Sequence, residues 1–270
     1  MSEQMLHAKG TTFTPCGISK NELLKVTTDA NHLTSNGESD VSFGKIYFDS
    51  GVEITGYQYA EYSLEAMYPG LEREALLLRN FFNPGMVLDV GCAKGFLVLA
   101  FRRMSIKAWG VDISDYALSE APIDVRAYLG KVDVSRDTLP FHDAEFDLVT
   151  ALGVLDYAWN RRHALDEFRR VLRPQGVLYA SVGYVHYGKP SVPIPQNVNS
   201  WIREVEQHHF RYLERLSKQF CRDRLKESVR SSRSIQAKVA TRLLVHPFLW
   251  SMLTLLLNQR SRARLFFRAE

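Results

Sequence analysis

MVLDVGCAKGFLVLAFRRM, residues 86–104, decides how this chain is read. Its first five residues are a short apolar run. Gly91 and Gly95 bracket a loop, and from Phe96 onward the apolar residues continue as a helix. A strand-to-helix loop needs glycine wherever φ is positive or a ligand comes close. The dinucleotide fingerprint asks for three glycines, G-x-G-x-x-G, so that a pyrophosphate can rest on the helix N-terminus. This loop reads G-C-A-K-G, lacks the third glycine, and has an acidic residue, Asp89, just before it.

Outward from that loop the pattern alternates. Upstream, Leu71, Ala75, Leu76, Leu78 and Phe82 recur at helical spacing, and Asn83-Pro84-Gly85 stops the helix. Downstream, AWGVDI (108–113) is a second strand, and SDYALSEA opens a helix with Ser114 as its N-cap. VRAYLGKVDV (125–134) is expected as a third strand and FDLVTALGV (146–154) as a fourth. RHALDEFRRVL is a helix ending before Arg173-Pro174-Gln175-Gly176, and VLYASVG (177–183) is a fifth strand. Strands separated by single helices predict an α/β fold, a mostly parallel sheet with helices on both faces. Such sheets bind ligands at the carboxyl ends of their strands.

The flanks divide the chain further. Residues 1–40 are expected as a flexible arm, 41–83 as an N-terminal lid and helix, and 84–183 as the core. Residues 184–240 are expected as acceptor-side loop and helices, and 241–270 as an apolar, basic helical extension. From Trp201 to Glu270 there are 15 Lys and Arg against 6 Asp and Glu, which leaves the first 200 residues mildly acidic. A basic tail of that kind attracts an anionic surface or simply forms a solvated helix face. Cys16, Cys92 and Cys221 are too scattered for a disulfide framework or a zinc site. The first residues lack the basic and apolar regions of a secretory leader, so a cytoplasmic protein is expected.

Three carboxylates mark three consecutive strand ends: Asp89 before the loop, Asp112 closing the second strand, and Asp133 after the third. Such a set suits a ligand with a cationic end, a ribose and an adenine. VLDVGCAKGFLVLAF, WGVDISDYAL, VDVSRDTLPFHDAEFDLVTALGVLDYA and EFRRVLRPQGVLYASV together resemble the class I S-adenosylmethionine (SAM) dependent methyltransferases, in the branch acting on small molecules and glycans. The resemblance covers roughly residues 43–215 and implies a Rossmann-like, seven-stranded-type sheet with SAM as cofactor. It would put Asp89, Gly91, Cys92, Ala93 and Gly95 at the methionyl end, and Asp112 and Ile113 at ribose and adenine. Asp133 and Val134 would meet the adenine edge, and Ala151 and Leu152 would close the site. The aromatic stretch Tyr47, Phe48, Tyr57, Tyr59 and Tyr62 would fold over the cofactor as a lid, with Tyr57 counted among its contacts. The sequence departs from the family at Ala93, where glycine is usual, and at Asp156-Tyr157, where many relatives have Glu-His.

The acceptor is less legible. Displacement at a sulfonium needs a base only if the nucleophile must lose a proton, and Asp156 and His163 are the residues selected for that role, ahead of Tyr157, Tyr184 and His186. Trp201 would shape the acceptor pocket by the same resemblance. No metal site is expected. No D/N-P-P-Y/F run follows the fourth strand, so the family pattern argues against nucleic-acid bases as acceptors and leaves a saccharide or another polar small molecule in front. LLVHPFLWSMLTLLL (243–257), flanked by Arg242, Arg260, Arg262, Arg264 and Arg268, offers a homodimer contact or a seat on an anionic membrane. Two other functions stay open: a SAM-binding module without turnover, and an RNA methyltransferase using the basic tail.

Overall fold

The computed structural model describes residues 43–49, 62–182, 195, 197–231 and 263–270. A short helix α1 (Lys45–Asp49) is followed by α2 (Leu64–Phe82), whose first turn is capped by the Ser63 side chain. Asn83 closes α2 in the left-handed region, where the stop signal was read. The core follows as β1 (Met86–Val90), α3 (Phe96–Arg103) and β2 (Lys107–Asp112). After it come α4 (Asp115–Ser119), α5 (Ile123–Arg126), β3 (Leu129–Lys131) and β4 (Phe146–Leu152). Then come α6 (Arg161–Val171), β5 (Leu172–Val182), α7 (Val198–Glu206), β6 (Phe210–Tyr212), α8 (Glu214–Ser231) and β7 (Ala263–Ala269).

These strands form one seven-stranded sheet in the order β3-β2-β1-β4-β5-β7-β6. All pairings from β3 to β5 are parallel, and β7 runs antiparallel to both β5 and β6. The order reverses between β1 and β4, so the carboxyl ends of β1, β2 and β4 flank a topological switch point. Alternate side chains of β1 enter opposite cores: Leu88 and Val90 pack with Phe168 and Trp201 on the α6 and α7 side, while Val87 packs with Leu78, Leu99 and Phe220 on the other. A strand buried on both faces reads as a continuous apolar run, which is why MVLDV carries so little alternation.

Three expectations need correcting. The strand expected over 125–134 is shorter, because Pro122 starts the one-turn helix α5 and Val125 is buried with Leu97 and Val98, leaving Leu129–Lys131 to pair with β2. The fifth strand, expected from 177, begins at Leu172, so Arg173–Gly176 lies inside β5, where the β4 register shifts between Phe146 and Leu148 and Gln175 takes φ 67°. The end of the expected helical extension is strand β7, whose Leu265, Phe266 and Phe267 are all buried between β5 and β6. Segment 243–257 lies outside the described residues. Among the described residues, no helix is long and apolar enough to cross a membrane.

The two halves are tied by a buried charge cluster. Glu74 on α2 accepts hydrogen bonds from the Tyr179 hydroxyl of β5 and from Arg224 Nε of α8 at 2.6 Å, with Arg264 of β7 at 3.5 Å. The two guanidiniums and the tyrosine overcome its burial and hold Glu74 below the usual carboxylate range. Arg264 is therefore an internal partner and not part of a free basic surface.

Candidate functional site

The β1–α3 loop turns sharply at three residues in the left-handed region, Gly91 (φ 67°), Ala93 (φ 50°) and Gly95 (φ 72°). A Cβ at Gly91 would meet Val154 Cγ2 at 2.3 Å, and one at Gly95 would meet Leu129 Cδ1 at 2.7 Å, so both positions combine backbone and space requirements. Ala93 carries the left-handed conformation at some strain, where the family pattern has glycine. The loop amides are occupied from within. Gly91 and Cys92 both donate to the Val111 carbonyl, at 2.8 and 3.0 Å, and Gly95 donates to the Cys92 carbonyl at 2.8 Å. Ala93 donates to Asp112 Oδ2 at 2.7 Å.

Asp112, at the carboxyl end of β2, takes the Ser114 amide at 2.8 Å on its other oxygen. Its carboxylate braces the loop from two sides, yet an ionised carboxylate has about four acceptor positions, so acceptor capacity remains for a ligand. Burial raises its pKa, against the pull of the Ser114, Ala93 and Ile113 amides. Ile113 beside it is 41% exposed, an apolar side chain left open next to a polar one. Asp89 on β1 is buried and accepts a 2.6 Å hydrogen bond from Thr150 Oγ1. Burial raises its carboxyl to about 7, opposed by the Thr150 bond and reinforced by the Asp112 charge.

The third carboxylate is placed differently. Asp133 Oδ1 accepts the Ser135 amide at 3.0 Å and its Oδ2 lies 3.3 Å from Arg136, so it caps the turn through the half-buried Val134. Ala151 is buried at the end of β4, and Leu152 is half-buried beside Gly153. Tyr57 and Tyr59 lie outside the described residues.

The segment 43–49 spans this strand-end edge. Lys94 of the loop ion-pairs with Asp49 at 3.5 Å, and the Tyr116 hydroxyl of α4 donates to the same carboxylate at 2.6 Å. Ser114 donates to the Phe43 carbonyl at 2.5 Å, and the Phe43 ring meets Tyr157, beyond β4, edge-on at 5.5 Å. Phe48 packs against Tyr62, which stacks on Phe96 at 5.6 Å. The segment thus touches elements following β1, β2 and β4. Lys94, Asp49, Tyr116 and Thr150 were not singled out from sequence, because an acidic residue in a polar arm and a threonine in an apolar strand carry no local signal.

Of the residues selected as bases, Asp156 is buried in the turn after β4. His163 sits in the first turn of α6, and its Nε2 donates to the Asp137 carbonyl at 3.1 Å. Tyr184 and His186 lie outside the described residues. Trp201 belongs to the core cluster with Phe168 and Phe210, with Arg161 5.4 Å from its ring, so it serves packing rather than a pocket. Among the described residues, no cluster of His, Cys, Asp and Glu is arranged to hold a metal ion.

A doubly wound sheet with a glycine loop and two buried carboxylates at its switch point is the arrangement in which Rossmann-like folds bind adenosine-containing ligands. Residues 88–180 match the family described as "Methyltransferase domain". A protein of Mycolicibacterium smegmatis described as a "probable S-adenosylmethionine-dependent methyltransferase" is 30% identical over 98 residues, 35% of this chain and 37% of its own length. The ubiquinone biosynthesis O-methyltransferase of Thiobacillus denitrificans is 29% identical over 99 residues, 35% of this chain and 43% of its own. The 27-O-demethylrifamycin SV methyltransferase of Amycolatopsis mediterranei is 33% identical over 100 residues, 34% of this chain and 36% of its own. The family match runs from β1 into β5 and so includes the glycine loop and both buried carboxylates. The chain spans about two fifths of the length of the curated relatives it matches.

Proposed function

We propose that this chain is an enzyme that uses SAM to methylate an oxygen or nitrogen of a small-molecule or saccharide acceptor. One observation carries the cofactor reading: the amides of Gly91, Cys92, Ala93 and Gly95 are all spent on protein acceptors while two buried carboxylates stand beside them. A pyrophosphate needs free amides at the loop and helix N-terminus. A cationic amino-acid end and a ribose diol need carboxylates. Asp112 suits the ribose of SAM or of a dinucleotide, and the buried Asp89 beside the loop is the residue that favours SAM.

In this reading Asp89 holds the ammonium of the methionyl end, Asp112 takes the ribose hydroxyls, and Ile113 offers an apolar edge to the adenine. When bound, SAM supplies a methyl group activated by a positively charged sulfur. The aromatic side chains of 43–49 and Tyr62 would stand over the cofactor and shield it from water, and aromatic faces also suit a sulfonium. An acceptor hydroxyl or amine would meet the methyl near the carboxyl end of β4, beside Asp156. Asp156 is the group we assign to take its proton, and His163, bonded to the Asp137 carbonyl, is a positioning residue that ties α6 to the segment after β3. The relatives named for O-methylation in ubiquinone biosynthesis and for methylation of 27-O-demethylrifamycin SV support the acceptor class.

The test is transfer of label from methyl-labelled SAM to a panel of phenolic, polyhydroxylated and amine acceptors, with total RNA alongside. Label is expected on a small molecule, and Asp156→Asn is expected to lower turnover with cofactor affinity kept. Bound SAM with no transfer to any acceptor would favour a module without turnover, and transfer to RNA alone would overturn the acceptor class.

A further inference from the structure

We propose that Thr150 is a positioning residue for cofactor binding, whose hydroxyl, reaching across from the neighbouring strand, keeps the Asp89 carboxylate aimed and charged for the ammonium of SAM. The inference rests on the cofactor reading above. In the β1–β4 ladder Asp89 and Thr150 are direct partners, and Thr150 Oγ1 lies 2.6 Å from Asp89 Oδ1 and 3.5 Å from the Leu88 carbonyl. Leu148, Val149, Thr150 and Ala151 are all completely buried. Packing alone would be met by valine there, since the two have the same shape. A hydroxyl in that run is costly unless it is bonded, and its bond goes to the carboxylate.

The groups around Asp89 make that bond consequential. From β2 comes Asp112, whose negative charge adds to burial in disfavouring the ionised form, and from the loop comes the Cys92 thiol, itself raised by burial and by both carboxylates. Lys94, the cation of the loop, is paired with Asp49 on α1. From β4 comes the neutral Thr150, and its hydrogen bond is the interaction that favours the carboxylate form. Removing it lets burial and Asp112 act unopposed, so Asp89 takes up its proton at higher pH. A protonated Asp89 offers the ammonium no charge.

Thr150→Val and Thr150→Ser test this, with binding of S-adenosylhomocysteine measured by calorimetry between about pH 6 and pH 9. Wild-type affinity is expected to rise through about pH 7, the range in which Asp89 ionises. In Thr150→Val the rise is expected about one pH unit higher, with affinity near pH 7 reduced about fivefold and most of the loss recovered at the alkaline end. Thr150→Ser keeps the hydroxyl and is expected to follow the wild type. Asp89→Asn should flatten the profile, and adding Thr150→Val to it should then leave the remaining profile unchanged. A Thr150→Val profile equal to wild type, or an equal loss at every pH in both Thr150 variants, would overturn the proposal. A folded wild type that binds no S-adenosylhomocysteine at any pH would instead overturn the cofactor reading beneath it.

Discussion

Asp112→Ala perturbs a carboxylate with two duties, and the structure sets the size of each. The carboxylate accepts the buried amides of Ala93 and Ser114, at 2.7 and 2.8 Å. Hydrogen bonds to a charged group contribute about 1.5–3 kcal/mol each, so losing both would cost about 3–6 kcal/mol if nothing offset it. Burial of the charge, which raises the Asp112 pKa, returns part of that when the carboxylate is deleted. A net loss of about 2–3 kcal/mol in the ligand-free protein is expected, read as a lower urea midpoint at unchanged slope. Binding suffers separately, because the ribose loses a charged acceptor. Another ~1.5–3 kcal/mol is about a 10- to 100-fold rise in Kd for S-adenosylhomocysteine. Asp112→Asn keeps one acceptor oxygen and is expected to fall between alanine and wild type in both measurements. Unchanged stability would refute the bracing of the loop, and unchanged affinity in the folded variant would refute the ribose contact.

Glu74→Gln should lower stability by about 2–4 kcal/mol in urea, since it leaves Arg264 without its buried counter-charge while Arg224, 45% exposed, is partly rescued by water; a loss under about 0.5 kcal/mol would contradict that burial. The raised carboxyl of Asp89 favours the folded state most below the ordinary carboxylate range, and that contribution is lost as pH rises to about 7. Comparing wild type with Asp89→Asn across that window should therefore show the wild type losing ground as pH rises; the opposite slope would be inconsistent. Gly95→Ala, at φ 72° and against Leu129, should cost about 1–2 kcal/mol and weaken cofactor binding, both read from ligand-dependent melting. Asp49→Asn releases Lys94 and should speed dissociation of S-adenosylhomocysteine about two- to fivefold in stopped flow, whereas an unchanged rate would disconnect α1 from the loop.

Much of the fold was legible because its central strands are buried on both faces and each is followed by a strong punctuation mark: Gly91 after β1, the Ser114 cap after β2, Gly153 after β4. The outer strands were not. β7 was hidden because arginines flank a three-residue apolar core, so a strand buried on both sides read as a basic tail, and Arg264 pairs with a glutamate 190 positions away in the chain. β6 has only three residues, too few to show a period of two. Within the site, Asp89 and Asp112 stood out as charges at strand ends. Thr150 did not, because a cross-strand hydrogen bond depends on register, and register is settled by the whole sheet. Trp201 was misplaced for a related reason: tryptophan on an amphipathic helix serves a core as readily as a pocket, and here it fills the core beside Phe168.

The most direct measurement of the cofactor assignment is the melting temperature of the full chain with saturating S-adenosylhomocysteine or NAD. A ligand at 100 times its Kd adds about 2.7 kcal/mol to a folded protein, which is a shift of several degrees for a domain of this size. A clear rise with S-adenosylhomocysteine and none with NAD is predicted from the spent loop amides and the buried Asp89 beside them. A rise with NAD and none with S-adenosylhomocysteine would contradict it.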